Sequence, residues 1–278
     1  MKKRRDELKE TGLSIALIIA RYFLNTEYLH YGFWTEDLEV CPANVARAQE
    51  KYADLILETI PPGVRTILDV GCGSGRFMQV LTERGYGVDG VSPGPMMAAQ
   101  ARKRLAEGQI LHECRFEDLA TERRYDLVLF SESFQYIKVD DALRNSLQLL
   151  NPAGSLLIAD YFRRDNSPSP LGGGHLLATF EESISKLPLQ KLVDLDITKQ
   201  TAPNLDLAGD LVNEVARPVI GLVVDLVRAN HPVILKAVLW IYRKKIARAQ
   251  MRYQGDARSG ATFARYKTYR VMVYRKSL

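Results

Sequence analysis

The sequence predicts an α/β protein, a doubly wound sheet with helices on both faces. Three observations carry that prediction. Short β-rich runs alternate with helical patterns between residues 43 and 160, the spacing of strand–helix–strand units. One run, Ile67-Leu68-Asp69-Val70, passes directly into Gly71-Cys72-Gly73-Ser74-Gly75 and then into a helical pattern. Alternating glycines let a backbone turn tightly and approach a ligand, which is how a buried parallel strand delivers the chain to a binding loop. Finally, an apolar fraction of 46% over 278 residues supports a full core without staples.

In order along the chain, residues 7–24 place Leu8, Ile15, Ile18, Ile19, Tyr22 and Phe23 on one broad face and read as a helix. Leu29-His30-Tyr31-Gly32-Phe33-Trp34 follows as an aromatic loop. Residues 43–60 form a second helix, closed by Pro61-Pro62-Gly63. Strands are expected at 65–70, 86–91, 110–115, 126–131 and 155–160, with helices at 75–84, 95–107 and 140–150 between them. Such a pattern implies a parallel sheet, whose ligands bind at the carboxyl ends of the strands. Residues 163–174, rich in Ser, Pro and Gly, read as a mobile flap. Residues 175–185 read as a helix and 191–198 as a strand. Residues 206–252 are mostly helical, broken at Pro218 and Pro232, and 266–275 form a terminal strand. The expected division is an N-terminal helical segment over 1–60, a core over 61–200, a helical apolar and basic insertion over 204–262, and a final core strand over 263–278.

Cys41, Cys72 and Cys114 are far apart and no Cys-x-x-Cys occurs, so neither a disulfide framework nor a zinc site is predicted, and no metal is expected. A reducing, cytoplasmic setting is the default. Asp6, Glu7, Lys9 and Glu10 interrupt the basic start, so residues 7–24 do not read as a signal peptide. The net charge is +5, unevenly placed: residues 231–278 hold twelve Lys and Arg against one acid, Asp256. A basic end on an acidic body suggests an anionic partner surface.

The glycine loop discriminates between cofactors. A dinucleotide fingerprint needs its third glycine where this chain has Arg76, which argues against NAD. Asp69-x-Gly71-x-Gly73-x-Gly75 after a first strand instead resembles motif I of class I S-adenosylmethionine (SAM)-dependent methyltransferases. Gly85-Tyr86 before the second strand, Met97 in the next helix and Leu150-Asn151-Pro152-Ala153-Gly154 before the fifth strand match in order. The resemblance covers residues 28–200 and the last strand, and it implies a Rossmann-like seven-stranded sheet with SAM as cofactor.

It also implies site roles. Asp69 supplies charge near the ammonium of SAM, and the backbone of Gly71, Cys72, Gly73 and Gly75 passes under its amino acid tail. Ser92 stands where the second strand normally ends in an acid for the ribose, and Asp89 is an alternative three residues back. A serine there is similar to a small-molecule branch holding cyclopropane fatty acid synthases and tocopherol methyltransferases. Tyr31 would cover the cofactor. Met97 would bind the cofactor, and Phe116 and Glu117 would line the adenine pocket, with Asp118 a second choice of carboxylate. Ser131 ends the fourth strand, where the methyl group meets its acceptor. Glu132, Gln135 and Tyr136 are candidates for orienting that acceptor, and His175, His30 and Tyr136 for a base.

The expected reaction is methyl transfer to the O, C or N of a hydrophobic small-molecule or lipid-like acceptor. Non-methyl-transfer chemistry with SAM and a nucleic-acid methyltransferase remain alternatives. Against the latter, Ser131-Glu132-Ser133-Phe134 stands where a base-binding Asn-Pro-Pro-Tyr would follow the fourth strand. The insertion, with Trp240 and Tyr242 beside Arg243-Lys244-Lys245, is expected to cap the site. Residues 236–252 suit a peripheral membrane surface.

Overall fold

A computed structural model describes residues 2–252 and 258–277, with side chains for residues 10–244 and 258–277. These residues divide into two compact units, one of 2–166, 173–201 and 267–277, the other of 167–172, 202–252 and 258–266.

The first unit is built on one seven-stranded sheet. Its elements are α1 (Lys2–Phe23), α2 (Val45–Thr59), β1 (Thr66–Val70), α3 (Arg76–Glu83), β2 (Gly87–Val91), α4 (Pro95–Arg102), β3 (Leu111–His112) and β4 (Tyr125–Ser131). They continue with α5 (Val139–Leu149), β5 (Leu150–Arg163), α6 (Leu177–Ser185), β6 (Leu189–Asp196) and α7 (Thr198–Thr201). The second unit contributes α8 (Pro203–Asp210), α9 (Arg217–Asn230), α10 (Pro232–Arg252) and α11 (Gly260–Tyr266), after which β7 (Lys267–Lys276) returns to the sheet.

The strand order is β3-β2-β1-β4-β5-β7-β6. From β3 to β5 every pairing is parallel, as the alternating pattern requires. The last strand, β7, departs from the parallel alternation and runs antiparallel to both neighbours, from Ser155↔Arg275 to Arg163↔Lys267 on one side and from Leu189↔Lys276 to Asp196↔Arg270 on the other. Buried strands read as apolar runs in either direction, so residue pattern alone does not reveal this. The reversal places Lys267, Thr268 and Tyr269 at the edge where β1, β4 and β5 end.

Burial explains the sheet's stability. Leu68, Val70, Phe130, Leu156, Phe162 and Met272 belong to one core cluster that α5 and α6 cover. Tyr52, Ile56, Ile67, Met78 and Leu81 are also fully buried. Burial of each such side chain contributes roughly 1.5–3 kcal/mol.

Several element boundaries differ from expectation: the strand expected over 155–160 runs Leu150–Arg163, and the one expected over 191–198 is Leu189–Asp196. The helix expected over 95–107 stops at Arg102, and the strand expected over 110–115 shrinks to Leu111–His112. Between them Arg104 N–H bonds Ala101 O, Gln109 N–H bonds Ala106 O, and Gly108 takes φ +79°. These turns consume the residues that would have lengthened either element.

In the second unit Pro218 does not break the helix. A π-helical segment over Leu211–Ala216 leads directly into α9, whose second residue is Pro218, where no intrahelical N–H is needed. Pro232 does end a helix, opening α10 after His231. Asp206 Oδ1 accepts the Gly260 N–H at 2.7 Å, pinning α11 to α8. Most large apolar side chains of α9 and the described part of α10 are exposed, including Leu222 (72%), Leu226 (64%), Val233 (77%) and Trp240 (67%). A cap folded around its own apolar core would have buried them.

Candidate active site

The glycine loop leaves β1 as a tight, obligatory turn. Gly71, Gly73 and Gly75 all take positive φ, at +80°, +54° and +79°. A Cβ on Gly71 would lie 2.5 Å from Ser133 Cβ, and one on Gly75 would lie 2.7 Å from Ala101 Cα. Ser133 Oγ donates to the Val70 carbonyl, and the Gly71 and Cys72 amides donate to Val91 O at 2.8 and 3.2 Å. Cys72 is buried beside Gly90, where burial pushes its thiol well up, so it fills space in the turn. The Ser74 hydroxyl donates to Glu27 O at 2.7 Å, tying the loop to the N-terminal segment.

Asp69 is the charged residue at this turn. It is 3% exposed, its carboxylate accepts no hydrogen bond among the described residues, and burial raises its pKa from 3.8 to about 7. Burial makes the charged form of this carboxylate costly, so a cation docked beside it would be strongly favoured.

At the end of β2 the two predicted candidates separate. Asp89 is committed within the sheet: its carboxylate accepts the Ile110 N–H at 2.7 Å, Arg123 at 2.9 Å and the Tyr125 hydroxyl at 2.8 Å. It therefore does not serve as the missing strand-end acid. Ser92, one residue past β2, is buried, and its hydroxyl has no partner among the described residues. Met97 is buried in α4, and its N–H points to the Glu10 carboxylate at 3.4 Å.

The aromatic loop and the end of β4 meet. The Tyr31 amide donates to Glu132 Oε1 at 2.6 Å, and Tyr269 Oη donates to the same oxygen at 3.0 Å. Tyr269 Oη also pairs with Tyr52 Oη at 2.8 Å, which lies 3.2 Å from Ser131 Oγ. Glu132 takes φ +56°, a left-handed conformation costing about 1–3 kcal/mol in a residue with a side chain. Burial and the nearby Asp160 charge raise its pKa from 4.5 to about 8, against the lowering effect of its two donors.

A second carboxylate stands on β5. Asp160 accepts the amides of Gln135 (3.0 Å) and Tyr161 (2.8 Å) and the Gln135 side-chain amide (3.2 Å). Even so, burial raises its pKa to about 7. Gln135 thus orients Asp160, while Tyr136 is 60% exposed at the rim. Tyr161 stacks near-parallel to Tyr31, ring centroids 6.4 Å apart. Lys267 is fully buried beneath the Tyr161 ring and donates to Gly173 O at 2.6 Å; burial lowers its pKa to about 8.

Four predicted residues are not brought into this group. Phe116 is 2% exposed and packs edge-on against Phe130 at 5.4 Å, so its ring is part of the core and offers no face to an adenine. Glu117 lines a cleft of about 670 Å³ with Thr121, Arg124, Asn145 and Gln148. That cleft precedes β4, at the opposite edge from the strand ends. His175 directs Nε2 at the carbonyls of Ile137 (2.7 Å) and Phe134 (3.2 Å), a fixed donor rather than a free base. His30 is held neutral, its pKa lowered to about 4 by burial, with Nδ1 on Tyr31 O. Its Nε2 is buried without a partner between the rings of Tyr28 and Tyr52.

Sequence reasoning missed Asp160, Tyr161, Tyr52, Lys267 and Tyr269. Asp160 ends the strand expected over 155–160, where the rule used for Asp69 and Ser131 applies equally. Tyr269 gave no such signal, because it begins an antiparallel strand.

The assembled site has buried carboxylates at Asp69, Glu132 and Asp160, a turn whose alternate residues Gly71, Gly73 and Gly75 lack side chains, and tyrosine rings along one side. It can hold a cationic, partly apolar ligand out of water. Residues 45–195 match the methyltransferase domain family. A 2-methyl-6-phytyl-1,4-hydroquinone methyltransferase of Synechocystis sp. is 30% identical over 122 residues, 41% of this chain and 37% of that protein. The chain spans about a third of the length of the first curated relatives it matches. The [4+2]-cyclase SpnF superposes with a TM-score of 0.68 at 18% identity, over 98% of this chain and 95% of that one. The geranyl diphosphate C-methyltransferase of Streptomyces coelicolor A3(2), solved with Mg²⁺, geranyl diphosphate and S-adenosyl-L-homocysteine, superposes with a TM-score of 0.61 at 18% identity, over 93% and 96%. With its glycine turn, unpaired Asp69 and five-strand parallel core, this chain belongs to the methyltransferase domain family.

Proposed function

We propose that this protein is a SAM-dependent methyltransferase acting on a hydrophobic small-molecule or lipid-like acceptor. One observation carries the reading: Asp69 is buried and lacks a partner beside a turn whose three glycines all take positive φ. SAM, with its ammonium and sulfonium, brings the missing positive charge and supplies an electrophilic methyl group. Asp69 and the Gly71–Gly75 backbone would hold its amino acid end, Ser92 its ribose, and Tyr31 would cover it. Glu132 would take a proton from an acceptor: two donors fix one of its oxygens, and burial raises its pKa to about 8, which supports that role. Alignment and exclusion of water contribute the rest.

The tyrosines at 31, 136 and 161 support an apolar acceptor, and the hydroquinone and geranyl diphosphate enzymes named above act on prenyl compounds. The test is titration with S-adenosylhomocysteine, followed by incubation with SAM and prenylated hydroquinones. Binding together with a product heavier by one methylene supports the reading. A product of unchanged mass favours the second reading, a SAM-binding enzyme of other chemistry, which the cyclase neighbour motivates.

We further propose that α9 and α10 contact an anionic lipid surface. Ile220, Leu222, Leu226, Val233, Trp240 and Ile241 are exposed, and the Arg243 guanidinium lies 5.0 Å from the Trp240 ring. Lys236, Arg243 and Lys244 flank this apolar surface, the arrangement of an interfacial helix. Among the described residues no helix is long and apolar enough to cross a membrane. Side chains of the predicted contact residues 245–252 lie outside those described.

A further inference from the structure

The second strand ends without an acid, yet another element brings a carboxylate to the start of α4, the helix that follows it. Glu10, on α1, puts Oε1 2.5 Å from the Met96 amide and 3.4 Å from the Met97 amide, at the start of α4. Its other oxygen, Oε2, accepts no hydrogen bond among the described residues. The approach depends on Gly94, since a Cβ there would lie 2.6 Å from Glu10 Oε1. Farther along α1, Arg21 donates to Gln100 Oε1 at 3.1 Å and to Glu27 at 2.6 Å. Arg104 pairs with Glu27 and donates to Ser74 O at 2.9 Å. The helix is thus fastened at one end to the glycine loop and at the other to the turn after β2.

Two facts bear on how a ribose would be held after β2. Ser92 is 97% buried with an unpartnered hydroxyl, and Asp89, the nearest acid on β2, is saturated by Ile110, Arg123 and Tyr125. Vicinal hydroxyls of a ribose are strong donors to a carboxylate, and charge-assisted hydrogen bonds are about twice as strong as neutral ones. Ser92 offers a neutral partner; Glu10 offers the charge. Resting on the SAM reading above, we propose that Glu10 is the ribose-binding carboxylate of this protein, carried on α1 to replace the acid absent from β2.

The experiment compares S-adenosylhomocysteine with its 2′,3′-dideoxyribosyl analogue by titration calorimetry. Glu10→Gln keeps an acceptor for the Met96 amide and removes the charge. It is expected to weaken binding of the parent compound about tenfold, leave the analogue within about twofold of wild type, and leave the melting temperature unchanged. Ser92→Asp placed in the Glu10→Gln chain should restore binding of the parent compound. Equal losses for both compounds, or no loss for either, overturn the proposal and leave Glu10 as a cap of α4. Failure of the wild-type protein to bind either compound is a different result, overturning the SAM reading and this proposal with it.

Discussion

Tyr31 and Glu132, 101 positions apart in the chain, are joined by a hydrogen bond of 2.6 Å from the Tyr31 backbone amide to the Glu132 side-chain Oε1. The bond closes the N-terminal aromatic loop over the end of β4, and Tyr269 from β7 donates to the same oxygen. Three distant segments therefore set the properties of one carboxylate.

Removing that carboxylate's proton affinity should be visible in turnover. Glu132→Gln is expected to lower kcat on a hydroxyl acceptor by about 10²-fold, the scale of a lost general base. Tyr269→Phe deletes a donor that favours the ionised form, so the acid limb of the kcat profile should move to higher pH. An unmoved limb would dissociate Tyr269 from the base.

Asp69 predicts opposite effects on binding and stability. Its pKa is raised to about 7, so the folded state holds the proton more tightly than the unfolded chain. The associated stability is full below about pH 4 and is lost as pH rises through about 7. Asp69→Asn removes this penalty and should raise the stability of the ligand-free protein at pH 8 by on the order of 2–4 kcal/mol, measured by urea unfolding. The same variant should lose S-adenosylhomocysteine binding at least tenfold. A variant that binds normally would sink the cofactor reading.

Ligand binding near Asp69 should release protons. A cationic ammonium favours the carboxylate, so the affinity of the wild-type protein should rise between pH 6 and 8. Calorimetry in buffers of different ionisation enthalpy would show net proton release, and Asp69→Asn should reduce it.

The three glycines are not equivalent. All would strain on gaining a Cβ, by about 1–2 kcal/mol for a left-handed conformation. Gly71→Ala and Gly75→Ala also meet Ser133 and the Ala101 backbone, whereas a Cβ on Gly73 lies at an ordinary 3.6 Å from Leu29. Thermal melts should therefore rank Gly73→Ala as the mildest.

Lipid contact has a direct assay. Wild-type protein should co-sediment with vesicles containing phosphatidylserine, and a variant with Trp240→Ala, Arg243→Gln and Lys244→Gln should remain largely in the supernatant. Equal sedimentation of both would remove α10 from the interface.

The sequence by itself determined the strand–helix alternation, the glycine turn and Asp69. All three are local: a strand's apolar run, a turn's need for positive φ and an acid at a strand end lie within a dozen residues. The same locality made Ser92 readable as a departure from the usual acid. Tertiary structure alone decided the rest. The direction of β7 placed Tyr269 beside Glu132, and packing against Phe130 withdrew Phe116 into the core. Carbonyls of the turn after β4 immobilised His175, and an N-terminal helix carried Glu10 to the first turn of α4. Such relationships join residues tens to hundreds of positions apart. A side chain's burial and partners follow from which surfaces meet, and no local pattern encodes that meeting.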